Sequence, residues 1–433
     1  MLRFIAIVAT ILTFASTVRA QSALTFDASH RMRYVGWDAG LSGVGGAPVQ
    51  FIRNRTRAGL TWRPAASLEL RAALVNEFFN YLEFPTEKPF NIDEVAFEHL
   101  YVKWQDTLGF PLGATVGRQE MRLGDGFLIM DGSPLDGSRT LYVNGARLDL
   151  EPWQRQRFTL FYLHQPMTDD LLPIINDRDR PLAEYTRDIA GVYYDGTIEG
   201  NAVNAYAIRA EGEHRFWMEK VREGGEQLSS TTIGLRIETR FGGGFDMRAE
   251  LAFQDLRSHY DFGWSSHHWE AAFQGDVGWS APAGELMGLS TRFGLFSYSD
   301  GWEPLLGRWP KWNESMVFSR GILVAPGYWS NLNAFFAEAS LRPCAAIRAV
   351  CRMQQLQYST PHNLSWPGLA TGDIGRLLAL YVFWKPDLPV SALAMLEHMW
   401  YADAFITAHG GGMPSSYTWG RVEVMYALPA ISL

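Results

Sequence analysis

The hairpin between Thr232 and Gln254 constrains the fold of this chain most strongly. On each arm, apolar residues at every second position alternate with polar or charged ones, and Gly242-Gly243-Gly244 separates the two arms. Because the side chains of a β-strand alternate between its faces, each arm has one apolar face and one charged face. The charged face carries both signs and the pattern recurs along the chain. This is typical of a transmembrane barrel with an apolar outside and a polar lumen.

The N-terminus predicts a secretory signal peptide. Met1-Leu2-Arg3 carries a positive charge, Phe4 to Ala15 is apolar, and Val18-Arg19-Ala20 fits a cleavage site. The apolar stretch is shorter than the ~20 residues of a membrane helix, and a buried strand or helix is the less favoured alternative. The rest of the chain has no linker or change of composition. We therefore assign residues 1–20 to a signal peptide and 21–433 to one outer-membrane β-barrel.

Segments with a period of two, bounded by turn residues, number 18, and an even number is what a bacterial single-chain barrel requires. The predicted strand cores are 26–37, 50–63, 67–80, 94–105, 112–120, 139–150, 156–165, 188–195, 201–210, 230–241, 245–256, 267–279, 287–298, 329–340, 346–357, 374–385, 389–400 and 418–428.

The connections between these strands predict which end of the barrel is which. Those after even-numbered strands are short. Those after odd-numbered strands are mostly long, including 121–138, 166–187, 211–229, 300–328, 358–373 and 401–417. Barrels of this kind have tight periplasmic turns and long extracellular loops. Aromatic residues, which favour membrane interfaces, adjoin the short turns; they are Trp62, Trp104, Trp153, Phe241, Phe245, Trp279 and Trp384.

Arginine dominates the predicted polar faces. Arg53, Arg55 and Arg57 share one face of strand 2, while Leu60 and Trp62 share the other. An arginine facing lipid near the midplane costs about 2–4 kcal/mol, so this row faces the lumen or lies outside the hydrocarbon layer. The full set predicted to form an electropositive pathway is Arg53, Arg55, Arg57, Arg71, Arg118, Arg147, Arg236, Arg240, Arg248 and Arg292. Arginine rings favour anions and guanidinium binds carboxylates. The alternative is that arginine–carboxylate ladders only brace a polar lumen.

The loop between strands 5 and 6 contains repeated Asp-Gly pairs within Gly117–Gly126 and Asp131–Arg139. Such pairs occur in calcium loops, but the spacing of an EF-hand is missing and turn chemistry explains them better. We therefore predict no metal and no cofactor. A further alternative is that this loop folds inward and narrows the mouth of the barrel.

Several motifs resemble the alginate-export porins. They are Gly117-Arg118-Gln119 with the following Gly-Asp-Gly, Arg139, Asn144-Gly145-Ala146-Arg147-Leu148 and the stretch from Asp300 to Trp312. The resemblance covers essentially all of the mature chain. It implies an 18-stranded outer-membrane barrel through which a polyuronate diffuses past arginines and lysines. Lys103 is the one clear lysine on the predicted lumen faces, and another acidic glycan or a small organic anion fits equally well.

The predicted function is passive diffusion or export of an anionic solute, with outer-membrane lipid and that solute as partners. A net charge of −8 argues against a nucleic-acid partner. A periplasmic export partner is compatible with this interpretation, although nothing in the chain encodes one. The alternative is a secreted or outer-membrane protein that binds or hydrolyses glycans, since two carboxylates suffice for hydrolysis. Serine, histidine and acidic residues show no recognisable catalytic spacing, so we expect no enzyme.

Overall fold

The computed structural model describes residues 23–38, 48–83, 94–105, 111–129, 143–177, 185–214, 226–260, 265–282, 284–303, 305–306, 330–363, 370–408 and 414–433. Within these ranges the chain forms a closed antiparallel barrel of 18 strands. Each strand pairs with its neighbours in sequence, and the first pairs with the last. The predicted fold class is confirmed. The predicted signal peptide lies outside the described residues.

The strands are β1 (Ala23–Trp37), β2 (Val49–Ala65), β3 (Leu68–Glu83), β4 (Val95–Trp104), β5 (Leu112–Gln119), β6 (Val143–Trp153), β7 (Gln156–Gln165), β8 (Tyr185–Ile198), β9 (Asn201–His214), β10 (Glu226–Arg240), β11 (Phe245–Tyr260), β12 (Ser265–Ser280), β13 (Ser290–Tyr298), β14 (Leu332–Cys344), β15 (Ile347–Asn363), β16 (Ala370–Trp384), β17 (Val390–Tyr401) and β18 (Ser416–Ser432). One short helix, α1 (Asp403–Ala408), follows β17.

The hairpin of β10 and β11 shows why the alternation makes a barrel wall. Leu235 lies opposite Leu251 and both are exposed on the outer face. On the inner face, Arg236 lies opposite Glu250, and Glu238 lies opposite Arg248. Opposite charges that face each other across two strands stabilise the pairing. The register therefore places apolar pairs outside and charge pairs inside.

Two predicted loops are wrong over much of their length. In the segment 211–229, β9 continues to His214 and β10 begins at Glu226. In the segment 358–373, β15 continues to Asn363 and β16 begins at Ala370. The apolar half of the alternation fades at these ends, as at Arg209 and Glu211, while the backbone pairing continues. Strand 13 has the opposite error, because residues 286–288 form a turn of 3-10 helix and β13 begins at Ser290.

The aromatic residues beside the short turns mostly face outward. Trp62, Trp153, Phe241, Phe245 and Trp384 are exposed. Trp104 and Trp279 are half-buried. An apolar outer surface that ends in aromatic side chains matches the expected outside of a membrane barrel.

Two loops fold into the barrel and meet there. In the first, residues 121–129 after β5, Met121 and Ile129 are fully buried. In the second, residues 299–303 and 305–306 after β13, Leu306 donates its backbone N–H to the carbonyl of Leu128 at 2.9 Å. Trp302 stacks on Phe127 with ring centroids 6.1 Å apart. We call residues 121–129 the first inward loop and residues 299–303 with 305–306 the second inward loop. Their contact agrees with the alternative in which the loop after strand 5 narrows the mouth.

Candidate functional site

Six arginines lie together on the inner wall where the chain ends meet. On β1, Arg31 and Arg33 alternate with Met32 and Tyr34, which are exposed on the outer face. The register places Arg33 opposite Arg53 and Arg31 opposite Arg55. Like charges placed directly opposite destabilise a sheet unless other groups compensate. The group, which we call the arginine cluster, comprises Arg31, Arg33, Arg53, Arg55, Arg57 and Arg421.

Three glutamates on neighbouring strands compensate part of this charge. Glu77 on β3 is 2% exposed. Its carboxylate lies 3.3 Å from the guanidinium of Arg53, 3.7 Å from that of Arg31 and 4.0 Å from that of Arg55.

The other two glutamates lie on either side of this centre. On β18, Glu423 accepts a hydrogen bond of 2.7 Å from Arg33, and on β4, Glu98 pairs with Arg57. Six arginines against three glutamates leave an excess of three positive charges within this group. The row predicted on strand 2 has no acid on its own strand, but Glu77 of β3 and Glu98 of β4 pair with it.

A β-bulge in β4 adds a second polar group to the same wall. The register between β3 and β4 shifts at Ala73/Leu74, so successive side chains of β4 no longer alternate strictly. As a result, Glu98 reaches Arg57 while the next residue, His99, lies 3.4 Å from the Nε of Arg71. Bulges commonly redirect side chains in this way. Arg71 also donates to both carboxylate oxygens of Asp27, at 2.7 and 3.0 Å.

The opposite wall, β10 to β17, carries a different arrangement. Arg236 donates to Asp125 of the first inward loop at 3.0 Å. Arg248 donates to Asp276 at 3.1 Å, and Arg292 donates to Asp246 at 2.6 Å.

Except for Asp246, these groups line a cavity of about 380 Å³, together with aromatic side chains. We call it the luminal cavity; its charged lining residues are Asp125, Arg236, Arg248, Glu250, Asp276, Arg292, Glu338, Arg348 and Arg352. Positive and negative groups nearly balance on this wall, in contrast to the arginine cluster.

The ten arginines predicted for the pathway differ in how far their side chains are exposed. Those whose side chains are 20–29% exposed are Arg57, Arg71, Arg147, Arg248 and Arg292. Those whose side chains are at most 10% exposed are Arg53, Arg55, Arg118 and Arg236. Arg240 is exposed at the end of β10.

Arg118 departs most from the expected role. It is buried in a bidentate pair with Asp169, with distances of 2.6 and 2.8 Å. Both side chains are 1% exposed. A guanidinium so enclosed braces β5 against the segment after β7 rather than meeting a solute directly.

Several residues of the site escaped the sequence prediction, although their signal was readable. Arg31 and Arg33 show the same period of two as the row on strand 2. Arg348 and Arg352 belong to the luminal cavity and lie on one face of β15. Among the described residues, no group of three or more metal-ligating side chains could hold an ion. No helix of that part of the chain is long and apolar enough to cross a membrane.

The closed barrel of 18 antiparallel strands matches the fold of outer-membrane porins of known structure. The crystal structure of Pseudomonas aeruginosa OccK9 (OpdG) matches with a TM-score of 0.62 and 13% identity, over 94% of this chain and 98% of that chain. OpdQ of the same organism gives 0.59 and 10%, over 95% and 99%. P. aeruginosa OpdK, crystallised with vanillate, gives 0.57 and 11%, over 94% and 99%. These identities show a shared fold.

No protein-family model matches the chain, and no curated protein is similar to it. The resemblance to alginate-export porins therefore stays a prediction. The structural likeness lends no support to the alternative of a glycan hydrolase.

Proposed function

We propose that this protein is an outer-membrane porin through which a small anionic solute passes by diffusion. The observation that carries the proposal is the arginine cluster, which places six arginines together on one stretch of the inner wall. The positive field of such a cluster attracts anions into a narrow lumen, and rings of arginine favour anion passage. The fold shared with outer-membrane porins supports the location.

Partly exposed arginines offer guanidinium groups to a solute along the lumen. Arg57 belongs to the cluster, Arg71 lies next to it on β3, and Arg248 and Arg292 lie on the opposite wall. Guanidinium groups bind carboxylates through two parallel hydrogen bonds, which makes a carboxylate the best-matched anion. The buried arginines Arg53 and Arg55 act on a solute through their charge.

The inward loops favour a small solute over a polymer. They meet inside the barrel, and the luminal cavity of about 380 Å³ is suited to a molecule of one or two rings. OpdK, a neighbour in fold, was crystallised with the aromatic carboxylate vanillate. A uronate oligosaccharide such as an alginate fragment is the second candidate, and the motif from Asp300 to Trp312 supports it.

Reversal potentials in a planar bilayer under a salt gradient test the proposal. We expect the wild-type channel to be anion-selective. Replacing Arg53, Arg55 and Arg57 with Gln leaves three arginines against three glutamates, so the anion preference should fall to that of an unselective pore. The control is Arg209→Gln, since Arg209 pairs with Glu211 near the end of β9 and belongs to neither charged wall. Cation selectivity that the triple substitution leaves unchanged would refute the proposal.

The membrane location gives a second test on the outer face of β10. Leu235→Arg should destabilise the barrel in lipid vesicles by about 2–4 kcal/mol, because a charge near the midplane loses its hydration. Gln227→Arg lies on the same face but eight residues earlier, next to the first residue of β10, and should cost about 0–1 kcal/mol. Urea unfolding followed by tryptophan fluorescence measures both. Equal costs at the two positions would contradict the placement of this face in lipid.

A further inference from the structure

We propose that Asp125 is a tethered carboxylate that occupies the anion site of the luminal cavity, and that a solute carboxylate must displace it from Arg236 and Arg248. The inference rests on the proposed function, because it assigns to the cavity the same class of solute. It adds a specific binding site and a competitor supplied by the protein itself.

Asp125 is placed at the tip of the first inward loop by a tight turn. The turn is closed by a hydrogen bond from the N–H of Gly126 to the carbonyl of Leu123 at 2.8 Å. Gly124 and Gly126 have φ of 53° and 86°, a left-handed conformation that glycine adopts readily. A Cβ on Gly124 would lie 2.8 Å from the hydroxyl of Tyr193, so the tip fits closely against β8. The loop therefore presents one carboxylate at a defined point of the lumen.

That carboxylate makes the contacts expected of a bound anion. Its Oδ2 accepts a hydrogen bond of 3.0 Å from Arg236 and lies 3.8 Å from the guanidinium of Arg248. Its Oδ1 lies 3.7 Å from Arg122 of the same loop, whose side chain is 43% exposed. A carboxylate between two wall arginines occupies the place that a carboxylate from solution would take.

The two wall arginines have partners other than Asp125 that hold them in place. Arg236 is also held by Asn204 at 3.0 Å and by Glu238 at 2.8 Å. Arg248 donates to both oxygens of Asp276, at 3.2 and 3.1 Å. A site whose cations are held by other partners remains preorganised when the loop carboxylate leaves, and preorganisation favours binding of the replacement.

Charge and shape define the ligand that would replace Asp125. Five arginines and four acids line the cavity, and Asp125 is one of those acids. Displacing it raises the excess positive charge of the lining from one to two. The side formed by β14 to β17 adds aromatic and apolar surface beside the paired charges of Glu338 and Arg352; these residues are Phe336, Tyr381, Phe383, Leu393 and Met395. The ligand class is therefore a monocarboxylate with an apolar, preferably flat, body.

Calorimetric titration of the detergent-purified barrel with benzoate tests the competition. We expect Asp125→Asn to bind benzoate about tenfold more tightly, within the usual range of coupling between two ligands. The uncharged analogue benzamide should show no such gain. The control is Glu120→Gln, a carboxylate at the root of the same loop that contacts His99 and does not line the cavity. It should bind benzoate as the wild type does.

A second background separates competition from loosening of the loop. If Asp125 competes for the wall arginines, its replacement should have no effect on benzoate affinity in the Arg236→Gln/Arg248→Gln barrel. The inference is overturned if Asp125→Asn binds benzoate no more tightly than the wild type does, or if its affinity for benzamide rises as much as that for benzoate. It is also overturned if neither the wild-type barrel nor the Asp125→Asn barrel binds benzoate. These readouts are independent of ion selectivity. Unchanged benzoate affinity in an anion-selective channel defeats this inference alone, and a cation-selective channel defeats the proposed function.

Discussion

Glu77→Gln should lower the free energy of unfolding by about 3–5 kcal/mol, as expected when one partner of a buried ionic group is removed. The carboxylate of Glu77 lies within 4.0 Å of three guanidinium groups, those of Arg31, Arg53 and Arg55. Without it, two pairs of like charges face each other across β1 and β2 with less compensation. Urea unfolding in detergent, followed by the shift of the folded band on a gel, measures the loss.

The companion variant Glu77→Gln/Arg55→Gln tests the cause. Arg55 lies directly opposite Glu77 in the register of β2 and β3, so removing both groups restores part of the balance. We expect this double variant to be more stable than Glu77→Gln alone. Glu211→Gln, at a 65% exposed side chain, should leave the unfolding midpoint close to that of the wild type. If Glu77→Gln unfolds at the wild-type urea concentration, the glutamate does not hold the arginine cluster together.

Arg118→Gln should have a similarly large effect, a loss of about 3–5 kcal/mol of unfolding free energy. It leaves the carboxylate of Asp169 enclosed without its bidentate partner, at a site where both side chains are 1% exposed. Arg118→Gln/Asp169→Asn removes both charges and should recover most of the loss. The same urea unfolding in detergent gives the coupling between the two residues as a double-mutant cycle.

A partly exposed ion pair provides the control for burial. Arg147 and Asp149 approach within 2.8 Å but are 25% and 21% exposed. We expect Arg147→Gln to cost about 0–1 kcal/mol, as is usual for ion pairs in contact with water. Equal losses for Arg118→Gln and Arg147→Gln would show that burial does not set the strength of the first pair.

The fold was predictable because the strands of a barrel wall require apolar and polar residues to alternate with a period of two in the sequence. Each strand needs apolar side chains outside and polar ones inside, so the number of strands could be counted. The hairpin of β10 and β11 carries this information for both faces and for its turn. The alternation of apolar and polar residues was weaker where strands extend beyond the apolar outer surface. For this reason β9 and β15 were predicted too short.

The candidate site was predictable in its residue type but not in its pairing. The acids that compensate the arginine cluster come from β3, β4 and β18, and Glu423 is 390 residues away from its partner Arg33. Arg118 looked like its neighbours in sequence, but Asp169, 51 residues later in a connecting segment, encloses it. Loops that fold inward leave no periodic signal in the sequence. The position of Asp125 between Arg236 of β10 and Arg248 of β11 could therefore be found only in the three-dimensional structure.

The pairing of β1 with β18 has a consequence for biogenesis. Arg31 and Arg33 come from the first strand, Arg421 and Glu423 from the last, and these residues meet only across the seam that closes the barrel. An unsealed sheet would carry Arg33 and Arg53 side by side without Glu423. Charge repulsion would thus destabilise a sheet that stays open at this edge. The carboxylate of Glu423, brought by the C-terminal strand, relieves this repulsion when the barrel closes. The arginine cluster is completed by the same event that closes the sheet into a barrel.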